Sequence, residues 1–137
     1  MFEINKIISH YKKSGIKLNK GIEVANINTL EKKLKFIFPN SFKEFYKAIN
    51  GFSDFDMDDN MFTIYSIERI EEEFKASKNA EFIPFSDYLI NSHQIGFRKS
   101  DGHVYINYSL ENHINTKVAL TFEQSLLEII NNTDKVY

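Results

Sequence analysis

Apolar residues recur with a helical period along the first dozen positions: Ile4, Ile7, Ile8 and Tyr11 fall at i, i+3, i+4 and i+7. One face of a helix collects all four, so an amphipathic helix is expected from the N-terminus to near Gly15, with lysines on its other side. A second helix is expected after Asn28, whose side chain can cap while Glu31 closes a capping box. Leu30 and Leu34 supply its buried stripe, and it must stop before Pro39, which pushes the preceding residue out of helical geometry. In the third helix Ser41 and Glu44 form an S-x-x-E capping box, and Phe42, Phe45, Tyr46 and Ile49 repeat at helical spacing. Gly51 after Asn50 suits a left-handed C-terminal cap.

The period then changes. Met61 to Tyr65 alternates Phe62 and Ile64 with more polar neighbours and predicts a strand. Ser66 offers a cap to a short helix with Ile67, Ile70 and Phe74 inward and Glu71, Glu72 and Glu73 largely outward. Glu81 to Phe85 is a short apolar run containing Pro84, so it is expected as a strand only at a sheet edge or end. Gln94 to Lys99 and His103 to Ser109 flank Ser100-Asp101-Gly102, and Asp-Gly between alternating runs marks a hairpin, with Ile95, Phe97, Val104 and Ile106 sharing its buried face. Val118 to Leu120 reads as a last strand. Thr121, with Gln124 at the third position, opens a final helix that buries Phe122, Leu126, Ile129 and Ile130. Helices first, strands later and a closing helix argue an α+β fold, its antiparallel or mixed sheet packed against N-terminal and C-terminal helices.

Composition bounds this picture. At 137 residues with 42% hydrophobic residues, the chain reads as one domain over 1–137, and such a length can bury roughly 70% of the surface its unfolded form exposes. There is no cysteine, which excludes disulfides and thiolate metal sites. No apolar run is long enough to span a membrane, and Glu3 and Lys6 interrupt any signal-peptide pattern. A cytoplasmic protein without membrane association is the expectation.

The net charge of -2 conceals unlike parts. Residues 1 to 53 hold ten Lys and four Glu, a balance of +6. Residues 54 to 73 hold Asp54, Asp56, Asp58, Asp59, Glu68, Glu71, Glu72 and Glu73 against Arg69 alone, a balance of -7, and the remainder contributes -1. With only two Arg, Arg69 and Arg98, the chain lacks the cationic surface that phosphate neutralisation requires, so nucleic acid is not an expected partner. The early lysines read as a solvated face.

Catalytic chemistry has no visible carrier. The five glycines are scattered, so there is no phosphate-cradling loop, and the S-x-x-K at Ser9 to Lys12 lies in an ordinary amphipathic helix without its companion motifs. His10, His93, His103 and His113 show no metal-ligand spacing. Neither a cofactor nor a metal is expected, and an enzymatic reading would need His103 or His113 beside carboxylates in a cleft. Asp54-x-Asp56-x-Asp58 resembles the opening of a calcium loop, but Asp59 stands where glycine is required and Tyr65 where a bidentate Glu is required.

The acidic segment reads either as a solvated turn or as a recognition surface. The second reading draws on Phe52, Phe55 and Met57 interleaved with the carboxylates, since charge orients encounter while apolar anchors supply affinity. On that reading Asp54, Asp56, Asp58, Asp59, Glu71, Glu72 and Glu73 form the electrostatic face, Phe55, Met57 and Tyr65 are the anchors, and the partner is basic.

Asn28-Thr-Leu-Glu-Lys-Lys-Leu34, then Phe38-Pro39-Asn-Ser-Phe42-Lys-Glu-Phe45-Tyr46 and Asn50-Gly51, together resemble the signature of the SUKH superfamily, the Smi/Knr group. Phe82-Ile-Pro-Phe85, the hairpin with Gly102 and Val104-Tyr105, and Thr121-Phe122-Glu123-x-x-Leu126 follow the same order, so the resemblance covers about residues 22 to 133, preceded by an N-terminal helix. It implies a non-catalytic α+β domain of the bacterial immunity branch, a monomer or weak dimer that binds and neutralises a cognate toxin, often a nuclease-type polymorphic toxin. The alternative it implies is a regulatory scaffold of the same fold that binds a partner unrelated to toxins.

Overall fold

Residues 4–53, 56–108 and 116–137 are described by a computed structural model. Helix α1 (Ile4–Lys12) forms as its spacing predicts and buries Ile7, Ile8 and Tyr11. Helix α2 (Val24–Leu34) starts a full turn before the expected Asn28 cap, with Glu23 at its N-cap and no side-chain cap bond. The reason is Ile27, which is fully buried and extends the apolar stripe of Leu30 and Leu34 backwards. Glu31 closes no capping box. Its buried Oε2 accepts the Phe38 N–H at 2.8 Å and lies 3.5 Å from Lys43 Nζ, which ties the end of α2 to the turn through Pro39.

Helix α3 (Asn40–Ala48) buries Phe42, Phe45 and Tyr46 as expected, but its N-cap is Pro39 and no side chain caps it. Ser41 instead donates to Glu123 Oε1 at 3.2 Å. Nor does Gly51 end this helix. Ile49 already belongs to strand β2 (Ile49–Phe52), which pairs antiparallel with β1 (Leu18–Lys20) in a small two-stranded sheet.

The main sheet is antiparallel, with its five strands side by side in chain order. They are β3 (Phe62–Ile64), β4 (Phe82–Tyr88), β5 (His93–Arg98), β6 (Val104–Tyr108) and β7 (Thr116–Ala119); α4 (Ile67–Ala76) crosses from β3 to β4, and α5 (Phe122–Ile130) follows β7. Expected only at a sheet edge or end, β4 is the second strand of the order. Pro84 is tolerated because β3 pairs only with Ser86 to Tyr88, leaving β5 as the sole ladder partner at Pro84, where the register also slips. The Asp-Gly hairpin forms as expected, pairing Ile95 with Ile106 and Phe97 with Val104, all buried. Thr121 caps α5 by accepting the Gln124 N–H.

One hydrophobic cluster runs from Ile7 to Val136, and its centre is aromatic. Phe42 stacks on Phe38 with ring centroids 3.9 Å apart and meets Phe122 at 5.2 Å, while Phe85 packs on Phe97 at 5.2 Å. Such rings combine large buried area with offset and edge-on geometries that add to it.

At the hairpin tip Asp101 accepts from Arg98 at 2.5 Å, from the Tyr105 hydroxyl at 2.7 Å and from the His103 N–H at 3.0 Å. Burial opposes its ionisation, but Arg98, Tyr105 and the His103 N–H outweigh that and hold the carboxyl well below the ordinary range. The unfolded chain therefore binds the proton more readily, so the ionised carboxylate stabilises the fold above the ordinary carboxylate pKa and loses that contribution as pH falls towards the folded value. Asp101→Asn should accordingly cost more stability near pH 7 than near about pH 2.5. Urea unfolding at the two pH values checks this, and an equal cost at both would contradict it.

Candidate functional site

The acidic helix α4 is positioned from two directions. Ser66 accepts the Arg69 N–H as its N-cap. Asn50 Oδ1 accepts the Ile67 N–H at 2.9 Å while its Nδ2 donates to Glu68 at 2.9 Å, so one β2 side chain grips both the backbone and a side chain of the first turn. Asn19 in turn donates to the carbonyls of Asn50 and Phe52. Beside it, Gly51 at φ +69° brings β2 against the Tyr65 carbonyl so closely that an added Cβ would lie 2.4 Å from it. The Asn50-Gly51 pair is thus the fastening between the small sheet and α4.

Beneath α4 lies a polar cluster. Tyr65 Oη donates to Asp87 Oδ2 at 2.6 Å, Arg69 Nη2 donates to the same oxygen at 3.2 Å, and the Arg69 guanidinium sits 4.2 Å from the Tyr65 ring centroid. Glu73 approaches Arg69 Nε at 3.7 Å and accepts from Gln94 at 2.8 Å. Burial, together with the charge of Asp87 and the hydrogen bond to it, pushes the Tyr65 hydroxyl well above its usual pKa, so it serves as a donor and not as a base.

This cluster floors a recess of about 270 Å³ lined by Asp56, Met57, Thr63, Arg69, Glu72, Asp87 and Ile90. Its lip is apolar. Leu89, Ile90 and Asn91 take left-handed φ values of 48°, 53° and 66°, which is unfavourable for side chains and for β-branched Ile above all. That turn leaves Leu89 45% and Ile90 65% exposed, and the Leu89 N–H bonds the carbonyl of Met61, itself 47% exposed.

The sequence-predicted residues divide accordingly. Asp56, Met57 and Glu72 face the recess. Asp54 and Phe55 lie outside the described residues. Tyr65 is corrected: only 1% exposed, with its hydroxyl on Asp87 and its carbonyl accepting the Tyr46 hydroxyl, it is a core residue and no anchor. Asp58 builds the turn by accepting the N–H groups of Asn60 and Phe62, and although those bonds favour its ionised form, burial raises its pKa. Glu71 is bonded by Lys75 at 2.6 Å and Lys33 at 3.2 Å, which hold its carboxyl low and cancel its charge for any partner. Glu73 is engaged by Arg69 and Gln94. Asp59 and Glu72 are exposed and make no described ion pair.

Leu89, Ile90 and Asp87 carried no sequence signal as site residues, because a left-handed turn at Leu-Ile-Asn contains neither glycine nor proline. The described histidines do not gather here. His103 lies 3.4 Å from Asp101 at the hairpin tip, and His93 is buried, its Nε2 donating to the Val136 carbonyl, with burial lowering its pKa. His113 lies outside the described residues. Among the described residues no three His, Cys, Asp or Glu side chains are grouped to hold a metal ion, and no helix is long and apolar enough to cross a membrane.

Fold and site together define a small α+β domain whose surface carries an acidic recess with an apolar lip. The chain belongs to the SMI1 / KNR4 family (SUKH-1), whose sequence profile matches residues 21–128, from the end of β1 to the last turns of α5. That family includes immunity proteins. No curated protein matches the chain significantly.

Proposed function

We propose that this chain is a non-catalytic immunity protein of the bacterial cytoplasm that binds and neutralises a cognate toxin of the nuclease type. The observation that carries the reading is the joining, at one recess, of Asp56 and Glu72, which make no ion pair among the described residues, with Ile90 in the lining and exposed Met61 and Leu89 beside it, in a family with immunity members. A nuclease presents a basic surface to its substrate, and a carboxylate face can occupy it, with charge steering the encounter and apolar contacts holding the complex. Because Glu71, Glu73 and Asp58 are engaged internally, the electrostatic face is narrower than the sequence implies: Asp56 and Glu72 stand at the recess, and Asp59 is exposed further along the acidic loop.

The test is co-expression with the product of the neighbouring toxin gene. Wild-type protein should restore growth and co-elute with the toxin in a stoichiometric complex. The double variant Asp59→Lys/Glu72→Lys should weaken the complex by at least about 30-fold, or about 2 kcal/mol, mostly through slower association that has lost its salt dependence. Intact protection and affinity in that variant would show that this face is not the one used.

A further inference from the structure

We propose that the recess between α4 and the acidic loop is a socket for a single arginine or lysine side chain of the protein partner. This rests on the function proposed above and names the group that this part of the surface accepts. At about 270 Å³ the recess is smaller than the cavities that enclose whole small molecules, and it matches one long side chain better.

Its charge selects a cation. Arg69 is held back against Tyr65 and is neutralised by Asp87 at 3.2 Å and Glu73 at 3.7 Å. Asp56 and Glu72 then remain in the lining, and neither makes an ion pair among the described residues. Among the described residues Asp56 accepts only the N–H groups of Lys17 and Met57, which fix its carboxylate in place without cancelling its charge. An anionic occupant would be repelled, and a neutral one would strip water from two carboxylates without replacing it.

The walls select a long aliphatic stem. Met57 and Ile90 line the recess, and arginine and lysine bury their methylenes against such surfaces while the charged head meets the acids. Leu89 and Met61 lie exposed next to this lip, where a protein surface carrying the side chain can cover them and a free cation cannot. That contact favours a protein over a diffusible amine as the source of the charge.

The socket can be examined without the toxin. Amide chemical shifts of labelled protein would be followed during titration with N-acetyl-arginine amide, N-acetyl-lysine amide, the neutral N-acetyl-norleucine amide and putrescine. Saturable shifts are expected at Thr63, Arg69, Glu72 and Ile90 with the arginine or lysine amide, with a millimolar dissociation constant, and none with norleucine amide. Glu72→Gln and Ile90→Ser, both at exposed positions, should each weaken binding about fivefold or more while the spectrum stays dispersed. Absence of saturation up to about 50 mM overturns the socket, as does putrescine binding equally well with Ile90→Ser having no effect. A socket that binds these probes in a protein that ignores the toxin would refute the proposed function alone. Toxin binding with a silent recess would refute the socket alone.

Discussion

Replacing Phe42 by alanine should destabilise the fold by about 3–5 kcal/mol, the range for removing a fully buried phenylalanine and leaving a cavity behind. Phe42 has no exposed surface, and it touches Phe38, Tyr46, Phe97 and Phe122 at centroid distances between 3.9 and 6.0 Å. These rings belong to α3, α5, β5 and the turn before α3, so the lost contacts lie where the helices meet the sheet and cannot be restored by movement of one element. Domains of this size are stable by about 5–15 kcal/mol in total, so the variant should stand near its unfolding threshold at ambient temperature. Urea unfolding followed by circular dichroism gives the value, and a midpoint shift equivalent to less than about 1.5 kcal/mol would mean that the core relaxes around the missing ring.

Gly51→Ala should have an effect of similar size from a different cause. A side chain at φ +69° costs about 1–2 kcal/mol, and a Cβ 2.4 Å from the Tyr65 carbonyl adds an overpacking cost of about 1–3 kcal/mol, because the obstacle is backbone and cannot rotate away. The Tyr65 carbonyl is also the acceptor of the Tyr46 hydroxyl at 2.6 Å, and Asn50 next to Gly51 holds the first turn of α4. Displacement there should therefore loosen α4 as well as lower global stability. Thermal melting measures the first effect, and hydrogen exchange at the α4 amides measures the second. Unchanged protection of α4 with a lowered melting temperature would show that the strain is absorbed on the β2 side alone.

The two substitutions also separate what each level of description contributes. Phe42 is legible in the sequence, because its neighbours Phe45, Tyr46 and Ile49 recur at helical spacing and burial of that stripe follows from the period alone. Gly51 is legible as a glycine needing special backbone geometry, yet it does not cap the helix. The helix stops two residues earlier, and what requires glycine is the approach of Tyr65, a residue fourteen positions further along. Glu31 shows the same pattern: its spacing from Asn28 suggests a local capping box, while the folded chain uses the carboxylate to bind Phe38 and Lys43.

The sequence by itself determined the elements whose signals are local. Periodicity set α1, α3, α4 and α5, Asp-Gly set the hairpin, Ser66 and Thr121 set two helix caps, and the order of elements set the α+β class with an antiparallel or mixed sheet. It also located the negative charge between residues 54 and 73. Only the tertiary structure decided the small sheet of β1 and β2, whose strands of three and four residues carry too little pattern to announce themselves. It likewise decided which carboxylates face outward. Of Glu71, Glu72 and Glu73, the first and third have a basic residue four positions away, Lys75 and Arg69, but it is the fold that adds Lys33 to the first and Gln94 to the third and leaves Glu72 of the three at the recess. A charge's availability depends on what the fold brings within a few ångströms of it: Lys75 reaches Glu71 from the next turn of the same helix, but Lys33 comes to it from 38 residues away and Arg69 to Asp87 from 18.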